Sequence, residues 1–256
     1  MIKTCDVLIV GSGVAGVYSA LNIDKNLRVL LICKENLRDC NSYLAQGGIS
    51  TALNNEDMPA YMDDTFAAGN YKNDTDAVET LVSESRENIK RLIKLNVPFD
   101  RNEDGTLNYT REGGHSTFRI VHIKDETGKY LMESLFKELE TRDNISVLEH
   151  CTLLDIIKTD NVCTGGICSY KGENLQIHAK RTILATGGLG GLFKSTTNFP
   201  SLTGDGIAIA LKNGITIKDI NYLQLHPTVL YEKDSIGKRL LLSESLRGEG
   251  GKIRNL

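Results

Sequence analysis

Hydrophobic residues near the amino terminus form two continuous runs with an amphipathic stretch between them. Segments 5–10 and 28–33 are mostly apolar, as in strands that are covered on both faces of a parallel sheet. Between them, Val17 and Leu21 repeat at the spacing of one helix face, which predicts a helix over about residues 14–22. The order strand, helix, strand predicts a βαβ unit.

Residues 60–95 follow a mostly helical pattern. Their apolar positions recur near helical spacing at Leu81, Ile89, Leu92 and Leu95. We expect Thr75-Asp76 to cap this helix, because both side chains can accept a hydrogen bond from a first-turn amide. A further helix is predicted from Thr127 to Thr141.

From Ile145 the pattern changes to short strand-like runs. These runs are Ile145–Leu148, Leu153–Thr159, Cys163–Tyr170 and Leu175–Ala179. Asp160-Asn161 and Lys171-Gly172 separate the middle runs as hairpin turns, so an antiparallel meander is predicted between Ile145 and Ala179. The buried-strand style then resumes at 182–186, and Gly204 precedes another helix.

These elements predict an α/β fold: a Rossmann-like domain with a parallel sheet, flanking helices and an inserted antiparallel β-meander. At 256 residues the chain is long enough to bury a substantial core.

The first apolar run leads into the glycine motif 11–16, Gly-Ser-Gly-Val-Ala-Gly. Glycines at this place let the backbone approach a pyrophosphate, and the following helix points its positive end at that charge. Dinucleotide binding is therefore predicted, with an ordinary tight turn as the alternative.

Other glycine sites favour a flavin over a nicotinamide cofactor. A nicotinamide site wants an acidic residue about 20 positions past the glycines, whereas the second strand here ends at Cys33-Lys34 with Glu35 one step late. Glycines also follow the strand at 182–186, and Asp205 stands at a helix start where it can accept hydrogen bonds from sugar-alcohol hydroxyls. One long ligand explains three such sites, although three ordinary turns remain the alternative.

Composition narrows the class of protein. Apolar residues make up 40% and charged residues 25%, with a net charge of −3, so no nucleic-acid partner is expected. No window of about 18 apolar residues exists, and no signal peptide is expected. The six cysteines include no CxxC pair, which favours reduced thiols in a cytoplasm over a metal site.

Seven motifs in order, GSGVAG, AQGG, REGGHS, ATGG, TGDG, QLHPT and LRGEGG, resemble the succinate dehydrogenase/fumarate reductase flavoprotein family. Within it, the chain is most similar to members that oxidise L-aspartate to iminoaspartate for NAD synthesis. The resemblance implies FAD as cofactor. It implies contacts to FAD from Gly11, Ser12, Gly13, Val14, Ala15, Gly16, Lys34, Asn41, Ser42, Tyr43, Leu44, Ala45, Gln46, Gly47, Gly48, Thr186, Gly187 and Asp205.

One position bears on how FAD is held. Respiratory members of the family bind FAD covalently through a histidine five residues before the Gln of AQGG. Here that residue is Asn41, which cannot form the link, so the resemblance implies noncovalent FAD.

The resemblance also implies substrate residues. Glu112 would pair with the ammonium group that distinguishes aspartate from succinate, although a solvated loop carboxylate is the alternative. His226 and Ser243 would bind substrate carboxylates, and Glu244 would belong to a proton path. His115, close to Glu112, stays ambiguous between a structural and a site role.

The implied reaction transfers a hydride from carbon 2 of L-aspartate to the flavin, with oxygen or fumarate as acceptor and a functional link to quinolinate synthase. The family's catalytic arginine, and a stretch that completes the FAD site, would follow Leu256. The resemblance therefore implies an amino-terminal portion, with residues 1–232 as the FAD-binding domain and residues 233–256 as the beginning of the family's capping domain. Two other functions remain as alternatives: a fumarate reductase or succinate oxidase, and a catalytically silent FAD-binding fragment. An NAD-dependent dehydrogenase is a distant fourth hypothesis.

Overall fold

The computed structural model describes residues 1–225, 228–230, 237–238, 240–242, 252 and 254. Its elements are β1 (Ile2–Val10), α1 (Val14–Asn22), β2 (Val29–Ile32), α2 (Asn41–Leu44), β3 (Ile49–Ser50), α3 (Met58–Ala68), α4 (Thr75–Lys94), β4 (Tyr109–Thr110), β5 (Ile120–Val121), α5 (Thr127–Glu140), β6 (Ile145–Leu148), β7 (Cys151–Thr159), β8 (Val162–Tyr170), β9 (Glu173–Leu184), β10 (Ser195–Thr196), α6 (Asp205–Lys212) and β11 (Gly237–Lys238). They form two compact units. The first unit contains Met1–Tyr43 and Leu135–Leu241, and the second contains Leu44–Ser134 and Leu242–Leu256.

A six-stranded sheet with the order β6-β2-β1-β9-β8-β7 is the centre of the first unit. Strands β6, β2, β1 and β9 pair in parallel, and β9, β8 and β7 pair antiparallel. The predicted α/β fold with its antiparallel addition is confirmed.

Strand β9 joins the two halves of this sheet. It pairs in parallel with β1 on one side and antiparallel with β8 on the other. The prediction of separate strands at Leu175–Ala179 and after residue 182 was therefore wrong, because one continuous strand serves both pairings. The meander was also placed too early, because in this sheet β6 pairs in parallel with β2, and the antiparallel pairs are β7–β8 and β8–β9.

The two predicted hairpin turns are present, and their backbone explains their sequences. Asp160 and Asn161 have φ of 50° and 62°, and Lys171 and Gly172 have φ of 53° and 77°. Two-residue hairpins with this left-handed backbone match the twist of the strands they join. Leu8, Ile32, Leu153, Leu175 and Ile177 belong to one buried hydrophobic cluster of this unit.

The second unit combines helices α3 and α4 with the small antiparallel sheet β3-β5-β4. Tyr61, Val78 and Val82 are buried together between the two helices. Helix α4 is capped by Asp74, whose Oδ1 accepts a 3.1 Å hydrogen bond from the Ala77 amide. The cap predicted at Thr75-Asp76 was one residue late, because Thr75 is already helical.

No helix within the described residues is long and apolar enough to cross a membrane. The predicted domain boundary at residue 232 falls inside segment 231–236, which lies outside the described residues, and it stays a prediction.

Candidate cofactor and substrate site

The β1–α1 turn is closed so tightly that two of its glycines cannot be replaced without collision. Gly11 has φ +117°, and a Cβ there would lie 2.1 Å from the carbonyl oxygen of Ala185 at the end of β9. A Cβ on Gly16 would lie 2.0 Å from the carbonyl oxygen of Gly11. The glycines therefore bring the start of α1 against the ends of two parallel strands, which is where open α/β sheets bind ligands.

A cavity of about 340 Å³ opens at this edge of the sheet in the first unit. Its lining includes most of the cofactor residues predicted within that unit: Gly11, Ser12, Gly13, Val14, Ala15, Lys34, Asn41, Ser42, Thr186, Gly187 and Asp205. Gly16 lies one residue beyond, inside α1. Tyr43 is in the same unit, in helix α2, but does not line the cavity.

The amino-terminal end of α1 faces this cavity. The first amides of a helix have no partner within the helix, and the helix dipole makes this end positive. One of them, the Val14 amide, donates a 3.0 Å hydrogen bond to Ser42 Oγ. Val14 and Ala15 line the cavity, so the geometry fits a pyrophosphate.

Lys34 and Asp205 meet across the cavity. Lys34 Nζ lies 2.8 Å from Asp205 Oδ2 and donates to Thr203 Oγ1 at 2.9 Å, while Thr203 Oγ1 donates to Asp205 Oδ1 at 2.7 Å. Partial burial raises the pKa of Asp205, but the hydrogen bonds from Lys34 and Thr203 and the charge of Lys34 outweigh it and leave the pKa below its usual value. An ionised carboxylate here is an acceptor suited to ribityl or ribose hydroxyls.

Asn41 uses its side chain within the protein. Its Oδ1 accepts a 3.0 Å hydrogen bond from the Phe199 amide, and its Nδ2 donates to Asn198 Oδ1. Asn198 in turn donates to Thr196 Oγ1 at 3.0 Å. Asn41 therefore both borders the cavity and fixes the segment 196–199.

Two buried thiols lie in the cavity wall, and burial disfavours the thiolate of one of them, Cys33. Cys33 and Cys151 line the cavity, and burial raises the pKa of Cys33 to about 12. All six cysteines lie within the described residues, and none of them forms a disulfide there.

In the second unit, the REGGHS loop meets the AQGG motif. A Cβ added at Gly47 would lie 2.9 Å from Glu112 Oε1 and 3.3 Å from Oε2. A Cβ at Gly48 would lie 2.3 Å from the Val121 carbonyl oxygen on β5. The two glycines thus let the Glu112 carboxylate and a sheet strand approach the same stretch of backbone, which also contains the predicted residues Leu44, Ala45 and Gln46.

A buried ionic cluster contacts this loop, and no motif in the sequence predicted it. The fully buried Arg119 guanidinium lies 2.8 Å from Asp57 Oδ1 and also pairs with Asp64. Two aromatic side chains also contact this guanidinium. The Tyr61 ring centroid lies 5.1 Å from its central carbon, and His115 Nδ1 lies 3.4 Å from its Nη1. Asp57, Tyr61 and Asp64 come from α3 and its preceding turn, 55 to 62 residues from Arg119, so no local spacing could reveal them.

His226, Ser243 and Glu244 lie outside the described residues. Their predicted roles, and the predicted FAD contacts as a set, stay predictions.

The fold and the glycine turn define a flavin-binding class, and comparison with known families agrees. The model of the FAD binding domain family matches residues 6–255, so the chain belongs to this family. FAD, the predicted cofactor, is thereby confirmed.

Among solved structures, FrdA of E. coli quinol fumarate reductase, in a mutant form, superposes with a TM-score of 0.91 at 29% identity, covering 98% of this chain and 43% of that one. The Sdh1 complex of Mycobacterium smegmatis gives a TM-score of 0.89 at 27% identity, covering 100% of this chain and 46% of that one.

More specifically, the chain is similar to curated L-aspartate oxidases. It is 51% identical over 251 residues to the one from Clostridium acetobutylicum, covering 98% of this chain. It is 48% identical over 255 residues to the one from Clostridium perfringens, covering 100% of this chain. The resemblance to the aspartate-oxidising members is confirmed. The chain spans 58% of the length of each of these two relatives.

Proposed function

We propose that this chain is the FAD-binding part of an L-aspartate oxidase, which converts L-aspartate to iminoaspartate with oxygen or fumarate as electron acceptor. The similarity to two clostridial L-aspartate oxidases supports the reaction. The observation that carries the proposal is the close approach of the Glu112 carboxylate to Gly47, where an added Cβ would lie 2.9 Å from Glu112 Oε1, because Gly47 belongs to the AQGG motif of an FAD-binding fold.

The first unit would hold FAD without a covalent bond. The glycine turn and the positive end of α1 would bind the pyrophosphate, and Asp205, kept ionised by Lys34, would accept hydrogen bonds from hydroxyl groups. Asn41 cannot form the histidine link and its amide is engaged with residues 198 and 199. When bound, FAD supplies the acceptor for the hydride that leaves carbon 2 of the substrate.

The remaining chain groups would bind and orient aspartate. Glu112 would accept a charge-assisted hydrogen bond from the substrate ammonium. His226 and Ser243 would hydrogen-bond the two carboxylates, and Glu244 would take part in moving a proton. Only Glu112 of these groups separates aspartate from succinate, since the two substrates share their carboxylates.

The cellular setting follows from the reaction. Iminoaspartate would be consumed by quinolinate synthase in NAD biosynthesis, and we propose a cytoplasmic location. Residues 233–256 would begin the capping domain that covers the substrate.

The variant Glu112→Gln tests the substrate assignment. It removes a charge-assisted contact worth about 1.5–3 kcal/mol, which corresponds to a loss of about 10- to 150-fold in kcat/KM for L-aspartate. Reduction of fumarate is expected to persist or improve, because a negative charge leaves a dicarboxylate site. Both rates are measured on the full-length, FAD-loaded enzyme, with Glu79→Gln on the exposed face of α4 as matched control. An equal fall in both activities would assign Glu112 to folding or flavin binding.

A second candidate is a fumarate reductase or succinate oxidase, favoured by the close superposition on a quinol fumarate reductase subunit. Turnover of succinate without turnover of aspartate would select it. Bound flavin that neither substrate reduces would instead select a silent FAD-binding module.

A further inference from the structure

The loop that carries Glu112 contains two consecutive glycines with open space beside them. Gly113 and Gly114 follow Glu112, and a Cβ on either would meet no described atom within 4 Å. Gly114 has φ +86°, a backbone that favours glycine. The His115 amide donates a 3.3 Å hydrogen bond to the Glu112 carbonyl and closes the turn. The position of Glu112 therefore depends on what fixes His115.

His115 is fixed on both sides of its ring. Nε2 lies 3.3 Å from Ser50 Oγ at the end of β3, and Nδ1 lies 3.4 Å from Arg119 Nη1. The ring of Tyr61 on α3 lies against it, with centroids 6.0 Å apart. Residues from β3, from α3 and from the segment just before β5 thus surround one imidazole.

The residue after His115 provides a second anchor. The Ser116 amide and Oγ both donate to Asp64 Oδ2, at 2.7 and 2.8 Å. Asp64 also pairs with Arg119, and Asp57 completes the arrangement by accepting from Arg119 Nη2 at 2.8 Å and from the Leu53 amide at 3.0 Å. Separating the charges of a buried ion-pair cluster is costly, so the cluster holds Asp64, and with it Ser116, in place.

The charges around His115 set its protonation state. Burial and the neighbouring Arg119 charge lower the pKa of His115, and together they outweigh Asp64 and Asp57, which raise it. The neutral ring has one acceptor and one donor nitrogen. Arg119 can only donate, so Nδ1 accepts from it and Nε2–H donates to Ser50 Oγ. One tautomer and one ring orientation are selected.

We propose that His115 is a positioning residue that holds Glu112 at the ammonium subsite, and thereby helps to select aspartate over succinate. The proposal rests on the proposed function of Glu112. His115 acts through the loop, with Arg119 and Asp64 as the frame.

The test uses the full-length, FAD-loaded enzyme and compares His115→Ala with His115→Gln, whose amide oxygen can accept from Arg119 while its NH2 donates to Ser50. For His115→Ala we expect kcat/KM for L-aspartate to fall by about tenfold or more, equivalent to about 1.4 kcal/mol, with succinate oxidation or binding within about twofold. The Gln variant should recover most of the loss. His178→Ala, on an exposed position of β9, is the control and should change neither.

A double-mutant cycle with Glu112→Gln separates this role from a general loss of structure. If His115 acts through Glu112, adding His115→Ala to Glu112→Gln should lower aspartate turnover little further. Full additivity, or an equal loss for succinate and aspartate in His115→Ala, would overturn the proposal.

Hydrogen exchange of the loop provides a readout that does not depend on turnover. His115→Ala should speed amide exchange in residues 111–118 and leave α4 unchanged. If Glu112→Gln leaves aspartate activity intact, the proposed function of Glu112 fails, and the positioning of the loop is then judged by exchange alone. Unchanged exchange at 111–118 contradicts the anchor in either case.

Discussion

Replacing Gly11 with alanine tests whether the β1–α1 turn is as tightly closed as its geometry indicates. Two costs arise in Gly11→Ala. A non-glycine residue at φ +117° is strained by about 1–3 kcal/mol. The new Cβ would also lie 2.1 Å from Ala185 O and 2.7 Å from Ala185 C, both backbone atoms of the residue that follows β9, and this overlap costs about a further 1–3 kcal/mol.

Gly172→Ala is the matched control in the same unit. Gly172 also has a positive φ, +77°, but a Cβ there would meet no described atom within 4 Å. Gly172→Ala should therefore have the strain of a positive φ without any steric overlap of the new Cβ. We therefore expect Gly11→Ala to lower the free energy of unfolding by about 1–3 kcal/mol more than Gly172→Ala does.

Urea unfolding of both variants measures this difference, and FAD titration of the folded proteins adds a second readout. Gly11→Ala should bind FAD more weakly, because relieving the overlap moves the wall of the cavity, whereas Gly172→Ala should bind FAD as the unmodified protein does. Equal losses of stability in the two variants, with FAD affinity retained in both, would refute the close approach of Gly11 to Ala185.

Three further predictions concern single interactions. Lys34→Met should weaken FAD binding and lower stability at neutral pH by under about 1 kcal/mol, since the Lys34–Asp205 pair is partly exposed. Because the folded pKa of Asp205 is depressed, this contribution is present above the unfolded pKa near 3.9 and is lost as pH falls through the folded value, so unfolding curves of variant and unmodified protein should converge in acid. Asp74→Ala removes the cap of α4 and should cost about 1 kcal/mol in urea unfolding; no change would place the cap elsewhere. Acid precipitation should leave flavin in the supernatant, because Asn41 forms no covalent link; flavin in the pellet would contradict this.

Local patterns in the sequence predicted much of the first unit. The apolar run before Gly11 and the helix after it are the β1–α1 pair, and the turns at 160–161 and 171–172 lie where their residue types indicated. These features depend on neighbours along the chain. The sequence did not predict the continuity of β9, because its single strand changes partner type from one edge to the other and its sequence shows both patterns.

The candidate site divides in the same way. The glycines, Lys34 and Asp205 could be proposed from motifs, and the cavity brings them together. The Arg119 cluster could not, since its aspartates lie on another element and each looks like an ordinary surface residue in the sequence. His115 was ambiguous for that reason: its meaning depends on Arg119 and Ser50, which only the fold places beside it.

Anaerobic titration of the FAD-loaded protein with L-aspartate tests the central claim most directly, by following the absorption of the oxidised flavin. The account predicts that L-aspartate bleaches the flavin band, and that Glu112→Gln requires at least about tenfold more aspartate for the same bleaching. A flavin band that L-aspartate leaves unchanged while succinate bleaches it would contradict the account.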